Sequence, residues 1–475
     1  MSPAVLARRT AADERARRLR VVPTSLDIYL TDACNMRCTY CGSRRFIDGG
    51  GARTLDLPTL LRAVDRYAAL VAPGRGADPA GVREISFTGG EPLLRYGLLK
   101  AAVTAIRRKY PWLKITVFTN GTLLDREKSA FLLDSGARLI VSLDGGAAVN
   151  DRHRKFGRRS AFRAVAANLR RLPPAWRAGI HLMATFTQAT VGRLAETVRL
   201  FKTFKCRDIH LGLDVYERWS PAALARLGRS LAAFRRYCLA GAAGRGPGGD
   251  WDFNFYFKDR VSACLDQAPS NSLTLAPDGN FYPCDELCVA GAPAARYAVG
   301  DARRGVDLDR LEAVYKEVAR RIGGFDLVNG VLSPIDRYYR AVLDGEEPAA
   351  ALRGSGRVTA VFLRELGGLV AVERIFKNLA RAEGFGDLDH RPRHAAARAL
   401  RALALPAPAG RKGLAAARAA ADFALYSPGQ RKSLALQGGP AFGDDAMGLL
   451  LYAALKAGRL GKKLKAAIET PGGAA

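Results

Sequence analysis

Strand-like and helix-like segments alternate six times between Val21 and Ala240, and this alternation limits the folds open to the chain. In the first predicted strand, Leu26, Ile28 and Leu30 alternate with polar positions, as in a strand with one buried face. Helical apolar spacing follows, with Thr54 as the predicted N-cap of the first helix. Strands joined by such helices predict a parallel α/β sheet. Because six units are fewer than the eight of a closed barrel, we predict an open, partial (β/α)6 barrel.

A polar or glycine-rich motif directly follows each of the first four predicted strands. The first motif contains three cysteines in a CxxxCxxC spacing, Cys34, Cys38 and Cys41. The other three are Gly89-Gly90-Glu91, Thr119-Asn120-Gly121 and Ser142-Leu143-Asp144-Gly145. The carboxyl ends of parallel barrel strands share one rim, where such folds place their active sites. We therefore expect all four motifs to lie together at this rim.

The cysteine spacing indicates a metal centre. Three cysteines within eight residues are too close together to form separate disulfides with one another. Thiolates from one loop are suitable ligands for zinc or for an iron–sulfur cluster. Three ligands for a four-coordinate centre leave one position open, which is where metal chemistry takes place. A structural zinc loop with its fourth ligand elsewhere in the chain is the alternative interpretation.

Length and composition restrict the class of protein. The chain has 475 residues, of which 48% are apolar and 25% charged, as in a soluble globular protein of two or three domains. It shows no secretion signal and no apolar run long enough to span a bilayer, so we expect a cytoplasmic protein. The net charge of +29 would attract nucleic acid. Because the basic residues are spread along the whole chain, we do not expect a nucleic-acid partner.

A second group of cysteines follows a glycine-rich linker at residues 241–249. It consists of Cys264, Cys284 and Cys288. Between the first two, Ser272–Leu275 and Phe281–Tyr282 flank a turn with the sequence Pro-Asp-Gly-Asn, which predicts a β-hairpin. The chain then becomes basic and helical, without a motif that we can attach to chemistry. The predicted units are a barrel at 24–240, a small hairpin-containing module at 251–305 and a helical C-terminal extension at 306–475.

Taken together, the motifs resemble those of radical S-adenosylmethionine (SAM) enzymes over roughly residues 25–305. The resemblance implies that Cys34, Cys38 and Cys41 hold a 4Fe–4S cluster and that SAM chelates its fourth iron. It further implies a set of SAM-contacting residues: Tyr40 near the adenine, Gly89, Gly90 and Glu91 at the methionine moiety, and Asn120, Ser142 and Asp144. At the two glycines, a Cβ would collide with SAM, so we expect the backbone to approach the methionine moiety there.

Residues 150–154 resemble a His-Asp-x-x-Arg stretch of the peptide-modifying branch of these enzymes, in which the arginine pairs with the SAM carboxylate. Asn150 stands where that stretch has its histidine, so only Arg154 is carried over. His153, the residue before it, is predicted to be a surface residue.

The second cysteine group resembles the start of a SPASM domain, a module that binds auxiliary iron–sulfur clusters in peptide-modifying radical SAM enzymes. No cysteine follows Cys288, so the resemblance implies a truncated module. One auxiliary cluster on Cys264, Cys284 and Cys288 is the favoured reading, with the sulfur atoms around one common point. A relic with free thiols is the alternative.

The resemblance implies an enzyme that cleaves SAM to a 5′-deoxyadenosyl radical, which abstracts hydrogen from a peptide or protein substrate. A flavodoxin- or ferredoxin-type protein is the expected reductant. Two alternatives remain open at this point. The same chemistry could act on a small molecule, or the chain could be a zinc-stabilised nucleic-acid-binding protein.

Overall fold

The structure, a computed structural model, describes 23, 25–42, 52–72, 83–206, 208–214, 216–242, 253–255, 272–288, 295–322, 334–354, 356–358 and 361. Cys264 and the chain beyond residue 361 lie outside these residues. The predicted helical extension is therefore described only in its first part.

Thirteen strands are assigned in the described part of the chain. They are β1 Ser25–Thr31, β2 Arg37–Cys38, β3 Glu84–Gly89, β4 Lys114–Thr119, β5 Arg138–Ser142, β6 Arg154–Lys155, β7 Ile180–Phe186, β8 Asp208–Leu213, β9 Phe253–Phe255, β10 Ser272–Leu275, β11 Phe281–Tyr282, β12 Gly300–Asp301 and β13 Gly305–Val306. The α-helices assigned there are α1 Leu57–Val71, α2 Tyr96–Lys109, α3 Arg126–Asp134, α4 Ala147–His153, α5 Ala161–Arg171, α6 Pro174–Arg177, α7 Leu194–Thr203, α8 Pro221–Ala242, α9 Leu308–Ile322 and α10 Pro334–Leu343.

One sheet organises the molecule, in the order β11-β10-β1-β3-β4-β5-β7-β8-β9. The six predicted barrel strands lie next to one another and are parallel, which confirms the α/β partial barrel. The sheet is wider than the sequence predicted, because β9 adds a parallel strand beside β8 and β10 adds one beside β1. The hairpin of β10 and β11 is confirmed, and it continues the main sheet.

The two faces of the sheet differ in chemistry. On one face, apolar side chains such as Ile28, Phe87 and Val117 are fully buried in the core that packs against the helices. Alternation along the strands places polar side chains on the other face, among them the buried His181 and His210. Closed (β/α)8 barrels fill this interior with branched apolar residues. A polar interior is instead suited to contact a polar ligand.

The start of α1 differs from the prediction. Asp56, not Thr54, is its N-cap, and the Asp56 side chain accepts a hydrogen bond from the Thr59 backbone N–H at 2.8 Å. The Thr54 hydroxyl is engaged elsewhere, 2.8 Å from the hydroxyl of Thr31 at the end of β1. Within the described residues, no helix is long and apolar enough to cross a lipid bilayer.

Candidate cofactor site at the carboxyl ends of the strands

The cysteine loop begins where β1 ends and is fastened to the end of α4. Cys38 pairs with Arg154 through the short antiparallel strands β2 and β6. The Thr39 backbone N–H donates to the His153 carbonyl oxygen at 3.0 Å. Within the loop, the Cys41 N–H donates to the Cys38 carbonyl oxygen at 3.3 Å. The loop is therefore held at both ends, and its position relative to β5 and α4 is fixed.

The three loop thiols are half-buried, unpaired by disulfides and mutually interacting. Burial is the main cause that raises the pKa of Cys34 to about 11, and Cys41 contributes through charge repulsion. Burial likewise raises the pKa of Cys38 to about 12. These thiols are uncharged at neutral pH, so metal binding must release their protons. Among the residues described by the structure, no group of three or more His, Cys, Asp or Glu side chains is placed to hold a single metal ion, whereas a 4Fe–4S cluster would bind each thiolate at a different iron.

Gly89 and Gly90 are required by the protein's own backbone. A Cβ on Gly90 would lie 2.1 Å from the carbonyl oxygen of Ala33 and 2.8 Å from that of Asp32. Gly89 has φ of +119° and would place a Cβ 2.7 Å from the Thr31 carbonyl oxygen. The end of β1 and the cysteine loop thus already require both glycines, and their contact with SAM stays a prediction. This close approach seats the loop on the end of β3.

The Glu91 carboxylate joins the end of β3 to the end of β4. It is fully buried, and its Oε1 accepts hydrogen bonds from the Leu93 N–H at 3.0 Å and the Thr119 hydroxyl at 2.7 Å. Its Oε2 accepts from the Asn120 N–H at 2.7 Å. Burial raises the pKa of Glu91, while these three donors lower it. Glu91 thus fixes the position of Asn120 at the rim.

The Asn120 side chain connects β4 to the cysteine loop. Its amide nitrogen donates to Asn35 Oδ1 at 2.8 Å and lies 4.0 Å from the Cys34 sulfur. Its amide oxygen accepts hydrogen bonds from the backbone and hydroxyl of Thr122. An amide N–H beside a thiolate stabilises the charged form. Asn120 is therefore placed beside Cys34, a predicted cluster ligand.

Asp144 is the centre of a buried network at the end of β5. Its side chain is 1% exposed, and Oδ2 accepts a hydrogen bond from the Tyr40 hydroxyl at 2.6 Å. Oδ1 accepts from the Arg154 guanidinium at 3.0 Å and from the Thr185 N–H at 2.9 Å. The buried Nε of Arg154 has no hydrogen-bond partner in the structure. Arg154 therefore retains one donor for a ligand.

His153 contributes to this site, contrary to its prediction as a surface residue. Its Nδ1 lies 2.7 Å from the Thr39 hydroxyl, and its Nε2 lies 3.0 Å from the Thr187 hydroxyl. Its ring centroid is 5.8 Å from that of Tyr40. Burial lowers the pKa of His153. The predicted site residue Ser142 is half-buried at the last position of β5, next to this network.

The sequence of this region decides the family. Residues 28–201 match the profile of the Radical SAM superfamily. This segment is a radical SAM domain. The matched segment runs from β1 into α7 and includes all four rim motifs. Enzymes of this superfamily use a 4Fe–4S cluster and SAM.

Similar proteins include bacterial GTP 3′,8-cyclases. The enzyme of Paenarthrobacter nicotinovorans is 32% identical over 157 residues, which cover 33% of this chain and 40% of that protein. The enzyme of Rhodococcus opacus is 28% identical over 232 residues, covering 48% of this chain and 62% of that protein. This chain thus spans less than two thirds of either relative. Native anSMEcpe with bound AdoMet superposes with a TM-score of 0.47, covering 61% of this chain and 80% of that one at 18% identity.

The residues present fit the two radical SAM cofactors. Three soft sulfur donors on one loop suit iron, and Cys34, Cys38 and Cys41 would hold the cluster. The partnerless Nε of Arg154 is a buried cationic donor that would meet the SAM carboxylate. Tyr40, at the same network, would lie against the adenine.

The second cysteine group is only partly described. Cys284 and Cys288 are 2% and 1% exposed, and they flank a 3₁₀ turn at Asp285–Leu287. Arg53 connects this turn to the cysteine loop, since it donates to the Cys288 carbonyl oxygen at 3.0 Å and to Asp32 at 2.7 Å. Burial raises the pKa of both thiols. Because Cys264 lies outside the described residues, convergence of the three sulfurs stays a prediction, as does an auxiliary cluster.

Proposed function

We propose that this radical SAM chain acts on a peptide or protein side chain. When bound, the cluster and SAM supply a 5′-deoxyadenosyl radical that abstracts hydrogen from the substrate. In this proposal Arg154 and the Gly89-Gly90 backbone hold the methionine end of SAM, and Tyr40 contacts the adenine. The substrate would bind against the polar face of the sheet, which forms the interior of the partial barrel. A small ferredoxin or flavodoxin would supply the electron.

The observation that carries the peptide assignment is the pairing of the arginines around the rim. A nucleoside triphosphate needs free cationic groups, best supplied by arginine. Five arginines around the rim are already paired with carboxylates of the chain: Arg53 with Asp32, Arg154 with Asp144, Arg340 with Glu286, and Arg218 and Arg337 with Glu346. These carboxylates offset the positive charge of the arginines, so a triphosphate there would meet less attraction than at unpaired arginines. A neutral or cationic peptide would not depend on that attraction.

A nucleotide substrate is the second candidate, because the curated relatives named above are GTP 3′,8-cyclases. Those relatives match only 33% and 48% of this chain, and 40% and 62% of their own length. The similarity therefore supports the shared radical chemistry more strongly than a shared substrate.

One experiment tests the chemistry and the substrate class together. The anaerobically reconstituted protein is reduced with dithionite in the presence of SAM, and 5′-deoxyadenosine is measured by mass spectrometry. One arm contains a perdeuterated peptide mixture and the other contains GTP deuterated in its ribose. We expect 5′-deoxyadenosine that gains deuterium from the peptides, and no product from Cys38→Ala. Deuterium transferred from GTP alone would contradict the peptide assignment. Absence of 5′-deoxyadenosine in both arms would contradict the proposed chemistry.

A further inference from the structure

Helix α10 contacts segments that follow two distant strands of the sheet, β8 and β11. On the side of β8, the guanidinium carbons of Arg337 and Arg340 lie 6.0 and 5.7 Å from the ring centroid of Tyr216. On the side of β11, the Arg340 guanidinium donates to Glu286 at 3.1 Å. In the strand order, β11 is at one end and β8 is the second strand from the other end, so α10 connects segments that are far apart in the sheet.

The contact between Arg340 and Glu286 is largely shielded from water. The side chains are 18% and 9% exposed, and Arg340 also donates to Asp344 at 3.0 Å. Beside the pair on α10, Tyr338 and Tyr339 are 5% and 3% exposed. Loss of one member of a buried ion pair is strongly destabilising, because the other charge is left without a partner. We therefore expect the Arg340–Glu286 ion pair to stabilise the packing of α10 more than an exposed ion pair would.

This ion pair lies directly against the residue that ends the cysteine loop. A Cβ built on Gly42, which follows Cys41, would be 2.9 Å from Glu286 Oε1 and 3.0 Å from the Arg340 guanidinium. Glu286 itself lies between Cys284 and Cys288. One ion pair thus touches the exit of the first cysteine group, the turn of the second and helix α10.

We propose that Arg340 is a positioning residue for the cluster-binding loop. By holding Glu286 against Gly42, it fixes the exit of the loop beside Cys41. The inference deepens the proposed function, since it concerns the same cluster. It assigns a role to a residue 299 positions away from Cys41, outside the region that matches the superfamily.

The test compares Arg340→Ala, Arg340→Lys and the control Arg320→Ala. Arg320 is 75% exposed and pairs with Glu317 within α9, so its loss leaves the site untouched. The reconstituted proteins are mixed with a ferrous chelator, and the rate of iron loss is followed by absorbance. We expect Arg340→Ala to lose iron about tenfold faster than the parent, with partial recovery in Arg340→Lys and parent behaviour in Arg320→Ala. The SAM-induced change in the EPR signal of the reduced cluster should also differ in Arg340→Ala.

Gly42→Ala provides the decisive second variant. In the parent, the Arg340–Glu286 ion pair occupies the space beside Gly42, so the added methyl group should speed iron loss. In the Arg340→Ala background that space is partly empty, and the same methyl group should have less effect. Non-additivity of this kind is expected for residues in contact. Equal rates for Arg340→Ala and Arg320→Ala, or fully additive effects of Gly42→Ala and Arg340→Ala, would overturn the proposal. If the parent binds no cluster, the proposed function fails first, and the same cycle is then measured by denaturant unfolding of the apoprotein.

Discussion

Replacing Gly90 with alanine should destabilise the protein and impair iron loading. The added Cβ would stand 2.1 Å from the Ala33 carbonyl oxygen, although such contacts are essentially never below 3.0 Å. The cysteine loop must therefore move by about 0.9 Å, the difference between these two distances. That movement strains two hydrogen bonds of 2.8 Å, from the Gly90 N–H to Thr31 and from the Glu91 N–H to Ala33.

The magnitude follows from these contacts. Two lost hydrogen bonds at about 1 kcal/mol each, with about 1–3 kcal/mol for overpacking, give a loss of roughly 3–5 kcal/mol in the free energy of unfolding. The matched control is Gly97→Ala in α2, where nothing lies within 4 Å of the added Cβ. Because alanine is the better helix former, this control should gain about 0.5–1 kcal/mol. Urea unfolding of the apoproteins and iron content after reconstitution measure both effects. A Gly90→Ala variant with parent stability and parent iron content would refute the close approach of the two backbones.

Two further predictions concern charged groups. Arg154→Ala should weaken SAM binding by about tenfold or more, measured by calorimetry, at unchanged iron content, because it removes a buried charged donor. The exposed neighbour in Arg152→Ala is its control, and overlapping isotherms for the two variants would argue against the contact. Burial raises the pKa of Asp214 to about 6, so its protonated form stabilises the fold, and this contribution is lost as the pH rises from about 4 to about 7. Asp214→Asn should therefore gain stability relative to the parent over that interval, by at most about 3 kcal/mol in urea unfolding. A pH-independent difference between Asp214→Asn and the parent would contradict this shift.

The rim could be predicted from the sequence because each motif directly follows a strand. The carboxyl ends of parallel strands lie at one edge of the sheet. Residues that directly follow these strands are therefore close together in space, as Cys34, Gly90, Asn120 and Asp144 are. The N-cap of α1 was misplaced by two residues, although a usable signal was present. Pro58 lies in the first helical turn, where proline is favoured, and this identifies Asp56 as the cap.

Contacts between distant segments could not be predicted in the same way. The pairing of β10 with β1 joins Ser25 to Ser272, and no local pattern selects the partner of an edge strand. The ion pair of Arg340 with Glu286 likewise depends on how α10 packs against the turn after β11. The position of His153 directly before Arg154 was a weak indication that it lies at the site. Its contacts with Thr39 and Thr187 join distant segments and could not be predicted from the local sequence.

The two buried carboxylates of the rim explain how the site keeps its shape before any ligand binds. A buried carboxylate is costly unless it is hydrogen-bonded, and Glu91 and Asp144 each accept three hydrogen bonds from the protein. Glu91 fixes the end of β4 to the end of β3, and Asp144 fixes β7, Tyr40 and Arg154 to the end of β5. Both carboxylates therefore bind groups of the protein itself, whereas the buried Arg154 Nε has no partner and is a donor available to a ligand. A ligand entering this site finds its contacts already oriented, so little of its binding energy is needed to order them.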